Sequence, residues 1–135
     1  MRISTKGRYG LAIMLYLAKE YESDRYITLK EISEYENISL KYLEKIMLNF
    51  KKTDYFKSCR GSEGGYKLSY PPKHYTIKDI LETAEGTIEI TSCVNGDFPC
   101  EKKDSCLSMK LWKDLNTLIS DYLENKTLED LLEVK

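Results

Sequence analysis

The stretch Thr28-Leu29-Lys30-Glu31-Ile32-Ser33-Glu34-Tyr35-Glu36-Asn37-Ile38-Ser39-Leu40-Lys41-Tyr42-Leu43-Glu44-Lys45-Ile46-Met47-Leu48-Asn49-Phe50 decides the fold of this 135-residue chain. It holds two helix starts in close succession. Thr28-x-x-Glu31 has the form of a capping box, in which a hydroxyl and a carboxylate satisfy orphan N–H groups of a first helical turn. It opens a short helix with Leu29, Ile32 and Tyr35 turned inward. Asn37 makes a tight turn, and Ser39 supplies a new N-cap. A helix over about residues 40–52 then places Tyr42, Leu43, Ile46, Met47 and Phe50 inside and leaves Lys41, Glu44, Lys45, Asn49 and Lys52 outside. A short helix, a tight turn and a helix with a charged outer face form a helix-turn-helix pattern over about residues 28–51.

The flanking sequence turns that pattern into a winged helix. Tyr55-Phe56-Lys57-Ser58-Cys59 reads as a strand, Arg60-Gly61-Ser62-Glu63-Gly64-Gly65 as a hairpin tip and Tyr66-Lys67-Leu68-Ser69-Tyr70 as the return strand, a wing over about residues 55–70. Pro71-Pro72 closes the unit. Upstream, Ser4 caps a helix predicted over Thr5 to Lys19, with Leu11, Met14, Leu15 and Ala18 on one face. Downstream, Thr76-Ile77-Lys78-Asp79 caps a helix to about Thr83 that buries Ile77, Ile80 and Leu81. Leu107, Leu111, Leu115, Leu118 and Tyr122, with Trp112 and Ile119 widening the stripe, predict a long amphipathic helix of roughly five turns. Such a stripe suits either a dimer seam or packing onto its own domain. Thr127-Leu128-Glu129-Asp130 caps a last short helix using Leu128, Leu131 and Leu132. The fold class is therefore mainly α with a small β-wing. A winged helix-turn-helix head occupies residues 1–75, and a second region, 76–135, carries a cysteine loop at about residues 91–106 and the long helix.

Charge divides along the same line. Residues 1–75 hold 14 Lys/Arg against 9 Asp/Glu, net +5, whereas residues 76–135 hold 7 against 13, net −6. A basic head on an acidic body fits a nucleic-acid-binding unit joined to a sensing or pairing unit. No apolar run approaches the roughly 18 residues of a membrane span. The expected compartment is the cytoplasm, with no membrane and no small-molecule substrate as partner. The chain has no nucleophile–histidine–acid set, no phosphate-binding loop and no C-x-x-C pair, which argues against an enzyme.

Cys93, Cys100 and Cys106 follow a C-x6-C-x5-C spacing. In a reducing compartment, three thiols in one irregular loop point to a soft metal or an iron–sulfur cluster more than to disulfides. Gly96 and Pro99 let the loop curl, and Asp104 or Ser105 as helix cap puts Cys106 in the first turn of the long helix, where the positive helix end favours a thiolate. Zinc, with three cysteines and one other ligand, or a thiol switch is the alternative chemistry. Cys59 reads as a small strand hydrophobe.

Several motifs in order resemble one family of winged-helix regulators, the Rrf2 family typified by IscR, NsrR and CymR. They are Met1-Arg2-Ile3-Ser4-Thr5-Lys6-Gly7-Arg8-Tyr9, Ile38-Ser39-Leu40-Lys41-Tyr42-Leu43-Glu44, Arg60-Gly61-Ser62-Glu63-Gly64-Gly65-Tyr66, the cysteine loop, and Leu107-Ser108-Met109-Lys110-Leu111-Trp112. The resemblance implies a homodimer on near-palindromic double-stranded DNA operators. In the IscR and NsrR branches it also implies an iron–sulfur cluster, 2Fe–2S or 4Fe–4S, on three cysteines; the CymR branch works without that triad and through a protein partner. The fourth ligand departs from the pattern. Met109 stands where IscR-like members carry a histidine, and Arg8 stands in the region where NsrR-like members use a carboxylate. Met109, Asp97, Glu101, Asp104, a small thiolate or water remain for that position, and His74, the only histidine, reads as a surface residue.

With the third helix in the major groove, Lys41 and Lys45 would donate to guanine or phosphate and Tyr42 would be shared between core and backbone contact. Glu44 would accept from a cytosine amino group, or would pair with Lys41 or Lys45 on the helix surface. Arg60, with Gly61 and Ser62 at the wing tip, is the expected wing contact. Thr28 and Ser39 would each cap a helix and touch phosphate.

Overall fold

Five of the six α-helices begin on the hydroxyl residue expected from the sequence, in a computed structural model that describes residues 2–62, 64–95 and 100–133. The helices are α1 (Thr5–Lys19), α2 (Leu29–Glu36), α3 (Leu40–Phe50), α4 (Ile77–Glu85), α5 (Met109–Glu124) and α6 (Leu128–Leu132). At Ser4, Thr28, Ser39, Thr76 and Thr127 the side-chain oxygen accepts the backbone N–H three residues on. Each such cap stabilises its helix by about 1 kcal/mol. Two antiparallel strands, β1 (Phe56–Cys59) and β2 (Gly65–Leu68), pair Phe56 with Leu68 and Cys59 with Gly65. Tyr55 and Tyr70, expected in the strands, flank them instead.

Thr127 forms a reciprocal capping box with Asp130. Thr28 does not. Its hydroxyl takes the Glu31 N–H at 3.1 Å, but the Glu31 carboxylate turns away to a two-pronged ion pair with Arg25 at 2.9 and 2.7 Å and accepts the Tyr16 hydroxyl at 2.6 Å. The cluster ties α1 to the entry of α2. Arg25 first, then Tyr16, hold the Glu31 carboxyl down at about 2 against an ordinary 4.5, while the bond to Glu31 pushes Tyr16 up to about 12. Because the folded carboxyl ionises more easily than the unfolded one, its stabilisation is complete above about pH 4.5 and is lost as pH falls towards 2. The pairs are partly solvated, so the contribution is modest. Glu31→Gln is expected to flatten the loss of urea stability between pH 5 and pH 2.5 relative to the parent protein; parallel curves would remove Glu31 as a source of acid lability.

Tyr35 does not face inward: it is 62% exposed, its ring edge-on to Tyr16 at 4.9 Å, with Lys19 Nζ 4.3 Å from the ring centre. α2 ends at Asn37, whose φ of 55° lies in the left-handed region that asparagine tolerates, and its N–H returns to the Ser33 carbonyl. That sharp stop swings the chain into Ser39 and α3. The recognition-type helix α3 buries Leu43, Ile46, Met47 and Phe50, leaves Tyr42 half-buried, and stops at Phe50, two residues earlier than expected.

α1 is the hub. Ile13, Met14, Tyr16, Leu17 and Ala18 are all buried, a wider apolar face than Leu11, Met14, Leu15 and Ala18 alone, because α1 meets α2, α3, α4 and α6 at once. Gly10 permits the closest approach. A Cβ there would sit 2.9 Å from the Ala84 Cβ of α4 and 3.2 Å from the Phe50 ring of α3. The core runs without a break from Ile32 and Leu43 through Leu68 to Ile77, Ile80, Leu81, Ala84 and Leu128, so α4 and α6 share it with the head. Tyr75 locks the wing to this core. Its hydroxyl donates to the Tyr55 carbonyl at 2.8 Å and accepts the Tyr70 N–H at 3.1 Å, and burial pushes its phenol up to about 12.

α5 has no buried residue. Trp112, Asn116, Ile119 and Leu123 form the half-buried side that rests on its own chain, with the Asn116 side-chain oxygen accepting the Ile90 N–H at 3.1 Å. Leu111, Leu115, Leu118 and Tyr122 stand exposed on the other side, whereas Leu107, expected on the same helical stripe, is exposed ahead of the helix, which starts only at Met109. No helix of the described residues is long and apolar enough to cross a membrane.

Candidate functional site

Lys41, Glu44, Lys45 and Leu48 project from one face of α3 and, with Leu29, Lys51 and Tyr66, line a groove of about 560 Å³. A second groove of about 560 Å³ carries the surface onto the wing, adding Thr28, Ser58, Cys59, Arg60, Gly61, Gly64 and Gly65 and sharing Leu29, Lys51 and Tyr66 with the first. The wing is held against α2 by main-chain pairing. Ile27 and Tyr66 exchange N–H···O bonds at 2.8 and 2.7 Å immediately before the Thr28 cap. Gly65, with φ of +142°, makes that pairing possible, because a Cβ there would strike the Ile27 carbonyl. Thr28, the start of α2, and Arg60, the base of the wing tip, are thereby brought to one surface.

Of the residues expected at a nucleic-acid contact, Lys41, Glu44 and Lys45 line the α3 groove and Thr28, Arg60 and Gly61 the wing groove. Ser39, Tyr42 and Ser62 line neither. Ser39 is exposed and accepts the Tyr42 N–H at 3.2 Å, Tyr42 lies edge-on to Tyr9 at 5.6 Å, and Ser62 is exposed at the wing tip. Lys51 and Tyr66, shared by both grooves, were not singled out from the sequence. The i+3/i+4 run Lys41, Lys45, Leu48, Lys51 could have revealed Lys51, whose backbone stays helical just past α3. Cys59 is exposed on the wing groove and is not a covered strand hydrophobe. Among the described residues lining the two grooves, Lys41, Lys45, Lys51 and Arg60 stand against one carboxylate, Glu44, a cationic surface suited to a polyanion.

The cysteine segment joins α4 to α5. All four cysteines are free thiols, Cys93 and Cys106 half-buried and Cys100 exposed. The long helix does not start at Asp104 or Ser105, which lie in a separate short turn ending at Cys106; it starts at Met109 behind Ser108. Cys106 therefore precedes the helix rather than sitting in its first turn, yet it still feels the helix end. The Ser108 hydroxyl at 3.4 Å and the Ser108 and Met109 backbone N–H groups hold its thiol below the usual range. The Trp112 indole N–H donates to the same hydroxyl at 3.1 Å, leaving the single Ser108 proton for the sulfur. Thr91 Oγ1 stands 3.0 Å from Cys93 Sγ. These hydroxyl partners, two residues from each thiol, escaped the sequence reading.

Three thiols, one biased towards thiolate, are a donor set that fits a soft metal or an iron–sulfur cluster. Among the described residues no three His, Cys, Asp or Glu side chains are grouped closely enough to hold a metal ion. Gly96, Asp97 and Pro99, which the sequence reading used for the loop and for one candidate ligand, lie outside the described residues, as does Glu63 of the wing tip. Met109 is half-buried at the start of α5, and His74 is exposed, stacked on Tyr70 at 4.2 Å.

Residues 3–134 match the family described as Rrf2, iron-dependent transcriptional regulator. The chain belongs to the Rrf2 family. It is 35% identical over 132 residues to the HTH-type transcriptional regulator IscR of Vibrio cholerae, covering 98% of this chain and 75% of that protein. Its structure is similar to that of CymR, the global cysteine regulator of B. subtilis, with a TM-score of 0.79 and 35% identity over 97% of this chain and 95% of that one. It is also similar to T. potens IscR, with a TM-score of 0.77 and 29% identity over 98% and 87% of the two chains. This Rrf2 protein is a winged-helix, DNA-binding transcription regulator and not an enzyme.

Proposed function

We propose that this Rrf2 regulator binds near-palindromic double-stranded operators as a homodimer in the cytoplasm, and that an iron–sulfur cluster on Cys93, Cys100 and Cys106 sets its operator affinity. The observation that carries the reading is the set of three free thiols, Cys93, Cys100 and Cys106, in the segment that leads into α5. The Ser108 hydroxyl beside Cys106 supports it by holding that thiol below its usual range. When bound, the cluster supplies a centre that cluster supply, oxygen or nitric oxide can alter. Cys93, Cys100 and Cys106 hold it, and Met109, Glu101, Asp104, Asp97, a small thiolate or water completes the set.

On the DNA side, Lys41 and Lys45 reach base edges or phosphate from α3, and Glu44 selects for a cytosine amino group. Arg60, Gly61 and Ser62 bring the wing to the backbone, and the exposed caps Thr28 and Ser39 meet phosphates, with Tyr42 beside them. Arg60→Ala is expected to weaken operator binding and to reduce the slope of log affinity against log salt by about 0.9, the share of one phosphate contact. Fluorescence anisotropy across a salt series reads it, and an unchanged slope takes Arg60 off the phosphates.

The reading as a whole is tested by anaerobic purification, iron and acid-labile sulfide assay, a visible absorption spectrum, and operator binding before and after cluster removal. A colourless, iron-free protein with unaltered DNA binding would sink it. The second reading keeps the winged helix and replaces the cluster with zinc or a thiol switch. It is favoured by the likeness to CymR, named a cysteine regulator, and the same easily ionised Cys106 would serve it.

A further inference from the structure

A side-chain bond joins α3 to the last turn of α4, the turn from which the chain runs on into the cysteine segment. Asn49, expected on the outer face of α3, is instead half-buried, and its Nδ2 donates to the Ala84 carbonyl at 3.0 Å. Ala84 lies in the last turn of α4, where carbonyls have no partner further along their own helix. The chain leaves that turn through Gly86, with φ of +93°, so the Ala84 carbonyl is satisfied from α3. From Gly86 the backbone runs to Cys93 with its Ile90 N–H held by Asn116 of α5.

The same turn of α4 is fixed on its other side. The Glu85 carboxylate accepts the Ser4 N–H at 3.0 Å and the Ser4 hydroxyl, gripping the N-terminus of α1. Ala84 and Phe50 both close on Gly10 of α1, lying 2.9 and 3.2 Å from where a Cβ would stand, so α3 and α4 pack tightly there. A displacement of residues 87–93 bears on the last turn of α4 as well as on Asn116 of α5. Asn49 is the directional contact from that turn to the DNA-facing helix.

We infer that Asn49 is a positioning residue, linking the orientation of α3 to the segment that carries Cys93 through the Ala84 carbonyl. The link extends the proposed regulation of DNA binding by the cysteine segment, and rests on that reading for its regulatory meaning. The apolar packing of Phe50 and Ala84 about Gly10 persists without Asn49, but apolar packing is non-directional. The hydrogen bond fixes register along the two helices. Removing it is expected to spare most of the fold and to lower the communication between the two ends.

The test uses the full-length protein and Asn49→Ala, with Asn49→Leu as a volume-conserving second variant should the first fail to fold. Operator Kd is measured with cluster loaded and removed, at one ionic strength. The ratio of the two values is expected to fall by about 2- to 30-fold in the variants, the range for residues that carry coupling. A second readout needs no cluster: hydrogen exchange at residues 84–93 with and without operator DNA. DNA binding is expected to change protection there in the parent protein and to change it less in the variants. Equal operator-induced changes in parent and variants overturn the link. A parent ratio of one with transmission lost in the variants overturns the cluster reading and leaves the Asn49 link standing.

Discussion

Leu111→Asp combined with Leu118→Asp is expected to convert the protein to monomers and to lower operator affinity by about 10²- to 10⁴-fold, the loss that follows when two linked heads no longer bind together. The reason lies in the stripe on α5. Its 16 residues make a rod of about 24 Å with no residue buried. Trp112, Asn116, Ile119 and Leu123 are half-buried on one side, where Leu123 packs on the core and Asn116 accepts the Ile90 N–H, while Leu111 is 57% and Leu118 67% exposed on the other. An exposed apolar stripe of this kind marks an interaction surface. In the isolated protomer the two aspartates would stand in water, where substitutions cost within about 0.5 kcal/mol. In a two-fold seam each would be buried beside its own copy, an unpaired charge costing several kcal/mol. Light scattering and a thermal melt separate these outcomes. A dimer that survives with its melting temperature unchanged means that this stripe is not the seam.

Cys106→Ser is expected to abolish iron retention and visible absorption. It is also expected to remove the change in operator affinity caused by cluster loading, a change expected to lie within about 5- to 150-fold. Serine preserves the size of the side chain but not its chemistry, because a hydroxyl stays protonated near neutral pH where a thiol can ionise. At this position the environment has already favoured the anion, through the Ser108 hydroxyl and the backbone N–H groups that open α5. The substitution changes only one exposed-side atom of a half-buried residue, so stability should be nearly unaltered. Iron and sulfide are measured on protein purified without oxygen, in parallel with DNA binding. If the variant keeps its full iron and sulfide, Cys106 is not a ligand. If parent and variant differ in zinc instead, the zinc reading replaces the cluster.

Helix starts were readable residue by residue because each cap is a local transaction. Ser4, Thr28, Ser39, Thr76 and Thr127 each satisfy an N–H only three positions away, and no distant part of the chain can change that reach. The same locality explains the hairpin, whose strands pair Phe56 with Leu68 and Cys59 with Gly65 across a short tip. Failures occurred where a distant element competed for the same atom. Glu31 was expected to complete a local box and was claimed by Arg25 and Tyr16. Asn49 was expected in water and met Ala84, a carbonyl thirty-five positions later. Cys106 was expected inside a helix that Asp104 or Ser105 would start, but Ser108, held by Trp112, marks the actual entry.

The sequence by itself determined the element order, the winged helix, the basic face of α3 and the three thiols ahead of a long helix, because these follow from short-range caps, periodicity and residue chemistry. Only the tertiary structure decided which side of α5 is free, since one continuous apolar pattern serves two faces and only packing against α4 and the core distinguishes them. It also decided that Lys51 and Tyr66 join the two grooves and that Asn49 ties α3 to the last turn of α4. Contacts of that kind depend on where residues far apart in sequence meet in space, which periodicity does not encode.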